Sequence, residues 1–194
     1  MSLEMNTFVK SIDDSIVPQW LSAFEVLGMK CEIHPEFSFT NQTGFLPFKL
    51  SLSSPAHKEW EGKSFLTGFE FYISDFDLNI ELEELNPKPS ALKKLFGKPE
   101  PYKQYANSSI DSKLTTCRKV LHCVWGSADT FELRMASVSS AILAELTEGI
   151  CAYPADDEWY ESVNLAEKMA AEAHEFESSL KPGELRVHEF DTWS

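Results

Sequence analysis

DTFELRMASVSSAILAELTEGICAYP, residues 129–154, decides how the rest of the chain must be arranged. Asp129-x-x-Glu132 has the spacing of a capping box, with Asp in place of Ser or Thr. Phe131, Met135, Val138, Ile142 and Leu146 then recur on one face at helical spacing. The small residues Ala136, Ser137, Ser139, Ser140, Ala141 and Ala144 let such a helix approach a sheet closely. Gly149 ends the helix, Ile150 to Tyr153 gives a short strand, and Pro154 stops it. Upstream, Lys113 to Trp125 reads as a long strand. Downstream, Ser162 to Leu180 reads as an amphipathic helix through Leu165, Met169, Ala173 and Phe176.

Toward the N-terminus, Val17, Trp20, Leu21, Phe24 and Leu27 predict a helix over about 15–27, with Pro18 in its first turn and Gly28 as its left-handed cap. Met29, Cys31 and Ile33 alternate with polar residues, Phe37 and Phe39 extend that pattern, and Phe48, Leu50 and Leu52 alternate after a turn at residues 41–44. Residues 29–52 therefore read as a hairpin. Phe65, Thr67, Phe69, Phe71 and Ile73 mark a strong strand; Leu78, Ile80 and Leu82 mark a weaker one. Residues 85–112 hold four prolines and five lysines, with one short helix expected over Ser90 to Phe96. Such proline density resists a long helix or a central strand. A helix, a run of antiparallel-looking strands, then strand–helix–strand–helix predicts an α+β fold: a mixed, largely antiparallel sheet with helices packed mainly on one face. The whole of 1–194 reads as one domain, interrupted by the Pro/Lys-rich connection at 85–112.

Charge is distributed unevenly. From Asp129 to Ser194 there are fifteen acidic and four basic residues, so this third carries −11 of the total −14. That field repels nucleic acid and anionic membrane and attracts basic surfaces. No apolar run approaches the roughly 20 residues that span a bilayer. Without a basic segment followed by an apolar stretch, no signal peptide is expected, and Met5 reads as the natural start behind a short leader. Cys31, Cys117, Cys123 and Cys151 form no CxxC pair, and each falls in a stretch read as strand. Cys117 and Cys123 would lie ~20 Å apart along one strand, beyond the reach of a disulfide. Buried free thiols, and hence a cytoplasmic protein, are expected.

Motifs for catalysis or cofactors are missing from the sequence. His34, His57, His122, His174 and His188 do not pair at ligand spacing, and there is no HExxH, Cys/His cluster or EF-hand loop. GxSxG is absent, and the eight glycines do not cluster into a phosphate loop. No cofactor, metal ligand or catalytic residue is assigned. His174 and Glu177 share a helix face, which reads as solvated. Asp75 and Asp77 would share one face if their strand continued, and with His122 they are the loose candidates for a hydrolase or metal-dependent enzyme assembled from distant residues.

Asp156-Asp157-Glu158-Trp159-Tyr160-Glu161, read as the loop between the short strand and the last helix, is the candidate partner-binding site. Its carboxylates would steer a basic protein while its aromatics anchor it. Glu161, Glu167, Glu172, Glu175 and Glu177 on the outer helix face would enlarge the patch. Alternatively, Trp159 caps the core and the acids favour a helix N-terminus.

The run from Phe131 through Ala144-Glu145-Leu146-Thr147-Glu148-Gly149 to Tyr153-Pro154 and Trp159-Tyr160 resembles the C-terminal portion of small bacterial α+β proteins. Some of these are similar to immunity proteins encoded beside polymorphic toxins. The resemblance implies no catalytic residues. With the localised charge, it leads to the expectation of a non-enzymatic cytoplasmic protein that neutralises a basic partner such as a toxin.

Overall fold

Leu3, Met5, Thr7 and Val9 alternate with Glu4, Asn6 and Phe8, and this two-residue period builds β1 (Leu3–Val9), an element not expected from the sequence, in which Leu3 and Glu4, read as leader, pair with Trp125 and Val124. The computed structural model describes residues 2–88, 101–126, 128–161 and 163–193, and places β1 inside an eight-stranded sheet. The other strands are β2 (Met29–Ile33), β3 (Gly44–Leu52), β4 (Phe65–Asp75), β5 (Lys119–Trp125), β6 (Ile150–Tyr153), β7 (Glu158–Glu161) and β8 (His188–Glu189). Their order is β2-β3-β4-β5-β1-β6-β7, with β8 added against the start of β4. Every pairing among the described residues is antiparallel.

Three long helices cover one face: α1 (Val17–Val26), α4 (Glu132–Thr147) and α5 (Leu165–Ser179). Two short ones, α2 (Leu78–Leu85) and α3 (Ser108–Leu114), close a smaller core on part of the other face. The α+β architecture is thus the one the sequence predicts. Central helix α4 is buried from Arg134 to Ala144, because its small residues let the backbone settle on the sheet: Thr7 Oγ1 of β1 donates to the Ser140 carbonyl at 3.1 Å. Glu148, in a left-handed conformation, caps α4, and Gly149 follows.

Two segments differ from expectation. Leu78, Ile80 and Leu82 belong to a helix, because Asp77 Oδ1 accepts from the Asn79 N–H and nucleates a turn. Leu78 then faces the core and Ile80 faces solvent. The long strand expected over Lys113 to Trp125 begins only at Lys119, since Asn107 caps α3 by accepting from the N–H groups of Ser109 and Ile110. Cys117 consequently lies in the turn after α3 and not in a strand, although all four thiols are free and buried. The Phe37 and Phe39 extension of β2 also fails: β2 stops at Ile33, and those rings fold back onto Trp20. The helix expected over Ser90 to Phe96 lies outside the described residues.

β3 and β4 approach unusually closely at Gly68, opposite Pro47. A Cβ at this position would stand 2.1 Å from the Leu46 carbonyl oxygen and 2.8 Å from the Phe45 ring. Gly68→Ala is therefore expected to cost about 3 kcal/mol, since accommodating the methyl means parting two strands. A urea midpoint lowered at constant slope is the measurement; an unchanged midpoint would show that the strands slide without penalty.

Candidate functional site

The segment 156–161 is not a loop. Pro154–Asp156 forms one 3-10 turn, Asp157 takes a left-handed conformation (φ 54°), and β7 then pairs with β6 at the sheet edge. Strand alternation divides the expected patch between two faces. Trp159 turns to the smaller core, with its ring 5.5 Å from Phe8 and 5.7 Å from Tyr105. Glu161 leaves on the same side and pairs with Lys113 at 2.9 Å. Glu158 and Tyr160 point the other way, and the Tyr160 hydroxyl donates to the Glu158 carboxylate. Trp159, proposed as an anchor, thus serves packing.

On the Glu158/Tyr160 side lies a cleft of about 350 Å³ between the sheet edge and helices α4 and α5. Leu3, Met5, Trp125, Leu133 and Met169 supply its apolar walls, and Tyr153 and Tyr160 stand at its mouth. Trp125 and Tyr153 stack with centroids 6.2 Å apart. Among the described residues, the charged ones that line it are Asp156, Glu158 and Glu172, all carboxylates. A second hollow of about 420 Å³ shares Leu3, Trp125 and Leu133 with it and runs on to Asp129, Phe176 and Arg186.

The phenols register this environment. Burial, then the charges of Asp156 and Glu158, raise the Tyr153 pKa. Burial, the hydrogen bond to Glu158 and the charges of Glu158 and Glu172 raise that of Tyr160. Both phenols stay neutral near pH 7, facing carboxylates. A cation is already present beside them: Lys168 Nζ sits 4.8 Å over the Tyr160 ring and 3.7 Å from Glu172 Oε1. Of the outer acids expected to enlarge the patch, Glu177 is instead fully buried in a bidentate pair with Arg134. The reading of His174 and Glu177 as one solvated face therefore fails at Glu177.

Across the sheet, on the face with the smaller core, β4, β5 and β1 bring together a hydrogen-bonded chain. Ser74 Oγ lies 2.8 Å from His122 Nε2, and His122 Nδ1 lies 2.6 Å from Glu4 Oε1. Tyr72 stacks on the imidazole at 4.3 Å. This is the order nucleophile, base, orienting carboxylate. However, N–H groups of a strand lie in the plane of the sheet, so the strand bearing Ser74 aims none at an oxyanion above that face. The carboxylates suspected beside His122 do not join it: Asp75 pairs with Lys119 at 2.6 Å and Asp77 caps α2.

Among the described residues, no group of three or more His, Cys, Asp or Glu is placed to hold a metal ion. Burial raises the thiol pKa of Cys31, Cys123 and Cys151, the last to about 12, so none is a ready thiolate. Asp129 meets the capping expectation in altered form: its Oδ1 accepts from the Phe131 N–H and Thr67 Oγ1, and Glu132 turns to the Gly126 N–H.

Of the six expected site residues, the cleft gathers Asp156, Glu158 and Tyr160; it also holds Glu172, one of the acids expected to enlarge the patch, and adds Trp125 and Tyr153. The period-two pattern Cys151, Tyr153 and Glu158, Tyr160 is the signal that separates the cleft side from the Trp159 side, once 158–161 is read as a strand. No described helix is long and apolar enough to cross a membrane. The chain matches no protein-family model, no curated protein and no solved structure.

Proposed function

We propose that this chain is a non-enzymatic binding protein that receives a basic protein partner at the cleft between β1, β6, β7 and helices α4 and α5. A toxin-neutralising inhibitor of the bacterial cytoplasm, as the resemblance to immunity proteins implies, is the form of that role we favour. The observation that supports it is an aromatic and apolar cleft whose charged lining residues, among those described, are all carboxylates. Aromatic walls supply contact area, and an acidic rim steers and orients a basic side chain. A charge of −11 over residues 129–194 extends the attraction beyond the cleft.

The test uses charge reversal at the rim. Glu158→Lys with Glu172→Lys changes two solvent-facing residues, so the melting temperature is expected to stay within a few degrees. Wild-type protein used as bait in lysate of its source is expected to retain a basic protein at low salt, and the double variant to lose it. Equal retention by both baits, or no retention by either, overturns the proposal.

The chain Ser74–His122–Glu4 supports a second reading, a hydrolase acting through an acyl-serine. Covalent labelling by a fluorophosphonate that disappears in Ser74→Ala would establish it. Absence of labelling removes this reading and leaves the polar chain as a cross-strand contact.

A further inference from the structure

Lys168 and its surroundings carry the binding proposal one step further, to the chemical group that is recognised. Tyr160 offers a ring face to an ammonium at 4.8 Å. Glu172 stands 3.7 Å from the same nitrogen. Glu158 is hydrogen-bonded to the hydroxyl of that ring, and Asp156 completes the rim. Behind this rim the walls are Met5, Leu133 and Met169, unbranched or flexible surfaces suited to a methylene chain. A ring face, carboxylates beside it and an apolar slot behind it together make a site for an alkylammonium: charge at the mouth, stem along the wall.

Resting on the proposed binding role, we infer that the cleft is a lysine-side-chain subsite for the basic partner, and that the chain's own Lys168, seated over the Tyr160 ring beside Glu172, competes for these two groups until the partner arrives. The two halves support each other. The internal ammonium shows that Tyr160 and Glu172 accept this group, and it sits on a side chain about half exposed, free to swing away. Its side-chain contacts among the described residues are one exposed cation–π contact and one exposed ion pair at i, i+4. Together these amount to about a fivefold to tenfold preference for the seated position. An incoming lysine must overcome that preference, so apparent affinity falls by the same factor.

The experiment measures binding of N-acetyl-lysine methylamide by the shifts of the Tyr160 and Trp125 ring resonances. Wild type is expected to bind it weakly, and Lys168→Met about fivefold to tenfold more tightly. Lys10→Met makes the same change in net charge at another exposed lysine and is expected to leave affinity at the wild-type value. The neutral norleucine analogue is expected not to compete, and Tyr160→Leu to abolish the gain from Lys168→Met. Equal affinity of wild type and Lys168→Met overturns the inference, as does an equal gain in Lys10→Met or binding of the norleucine analogue. Partner capture that survives such a result would leave the broader binding role standing with a different contact chemistry. A lysine probe bound equally well by the Glu158→Lys/Glu172→Lys variant would also overturn the inference, because those carboxylates are the ones assigned to the ammonium.

Discussion

Glu177→Ala is expected to cost about 3–5 kcal/mol and to leave the protein close to unfolding at ambient temperature. Glu177 on α5 receives Arg134 Nε on Oε1 and Arg134 Nη2 on Oε2, both at 2.7 Å. Arg134 and Glu177 side chains are only 5 % and 1 % exposed. Removing the carboxylate strands a guanidinium between two helices, where Met29 Sδ at 3.8 Å is only a weak acceptor. Arginine cannot escape by deprotonation, so the full penalty falls on the fold. The conservative Glu177→Gln keeps the shape yet still leaves the charge uncompensated, and a loss of more than 2 kcal/mol is expected from it. By contrast Arg134→Met with Glu177→Leu removes both charges, and its stability should return to within about 2 kcal/mol of wild type or exceed it. Chemical denaturation of the three variants is decisive: a double variant no more stable than Glu177→Ala would show that the ion pair is not the coupled unit described.

The second large effect is at Trp20. Its indole is fully buried beneath β3, with Phe24, Phe37, Phe39 and Phe48 at centroid distances of 6.0, 5.9, 5.6 and 5.5 Å. Trp20→Ala empties the middle of an aromatic cluster and is expected to cost about 3–5 kcal/mol. Trp20→Phe is expected to cost less than about 1.5 kcal/mol, for a specific reason. Among the described residues Nε1 of Trp20 has no hydrogen-bond partner, and a buried unpaired donor carries a penalty of about 1–3 kcal/mol that phenylalanine does not incur. The smaller ring loses contact area but removes that penalty. A Phe variant as unstable as the Ala variant would mean that ring size alone holds this corner of the core.

Both sites show where the sequence was legible. Strong periodicity located α1, α4, α5, β4 and the Met29–Leu52 hairpin, because one face of each is buried and the apolar spacing records it. Arg134 and Glu177 were hidden: each looks like an ordinary solvated residue of an amphipathic helix, and only the meeting of α4 with α5 makes them a pair. β1 escaped because its inward row, Leu3, Met5, Thr7 and Val9, contains a threonine and starts at the very beginning of the chain. At Leu78 and at Ser108 the local caps Asp77 and Asn107 outweighed a strand-like alternation only a few residues long. The candidate site was half readable. Its acidic and aromatic composition pointed to residues 156–161, but choosing between Trp159 and Tyr160 needed the knowledge that this stretch is a strand. Ser74, His122 and Glu4 come from three strands, and no spacing in the sequence relates them.

The placement of β1 has a consequence for how the protein is made. Its hydrogen-bonding partners are Lys119–Trp125 on one side and Ile150–Ala152 on the other, so it must wait for strands made far later in the chain. At roughly 5–20 residues per second, its two edges stay unpaired for roughly six to thirty seconds of translation. Until residue 152 has left the ribosome, the β5-β1-β6 half of the sheet cannot close. Pairings this distant make for slow folding, and in that interval the nascent chain presents Leu3 to Val9 as an open edge to whatever strand is near.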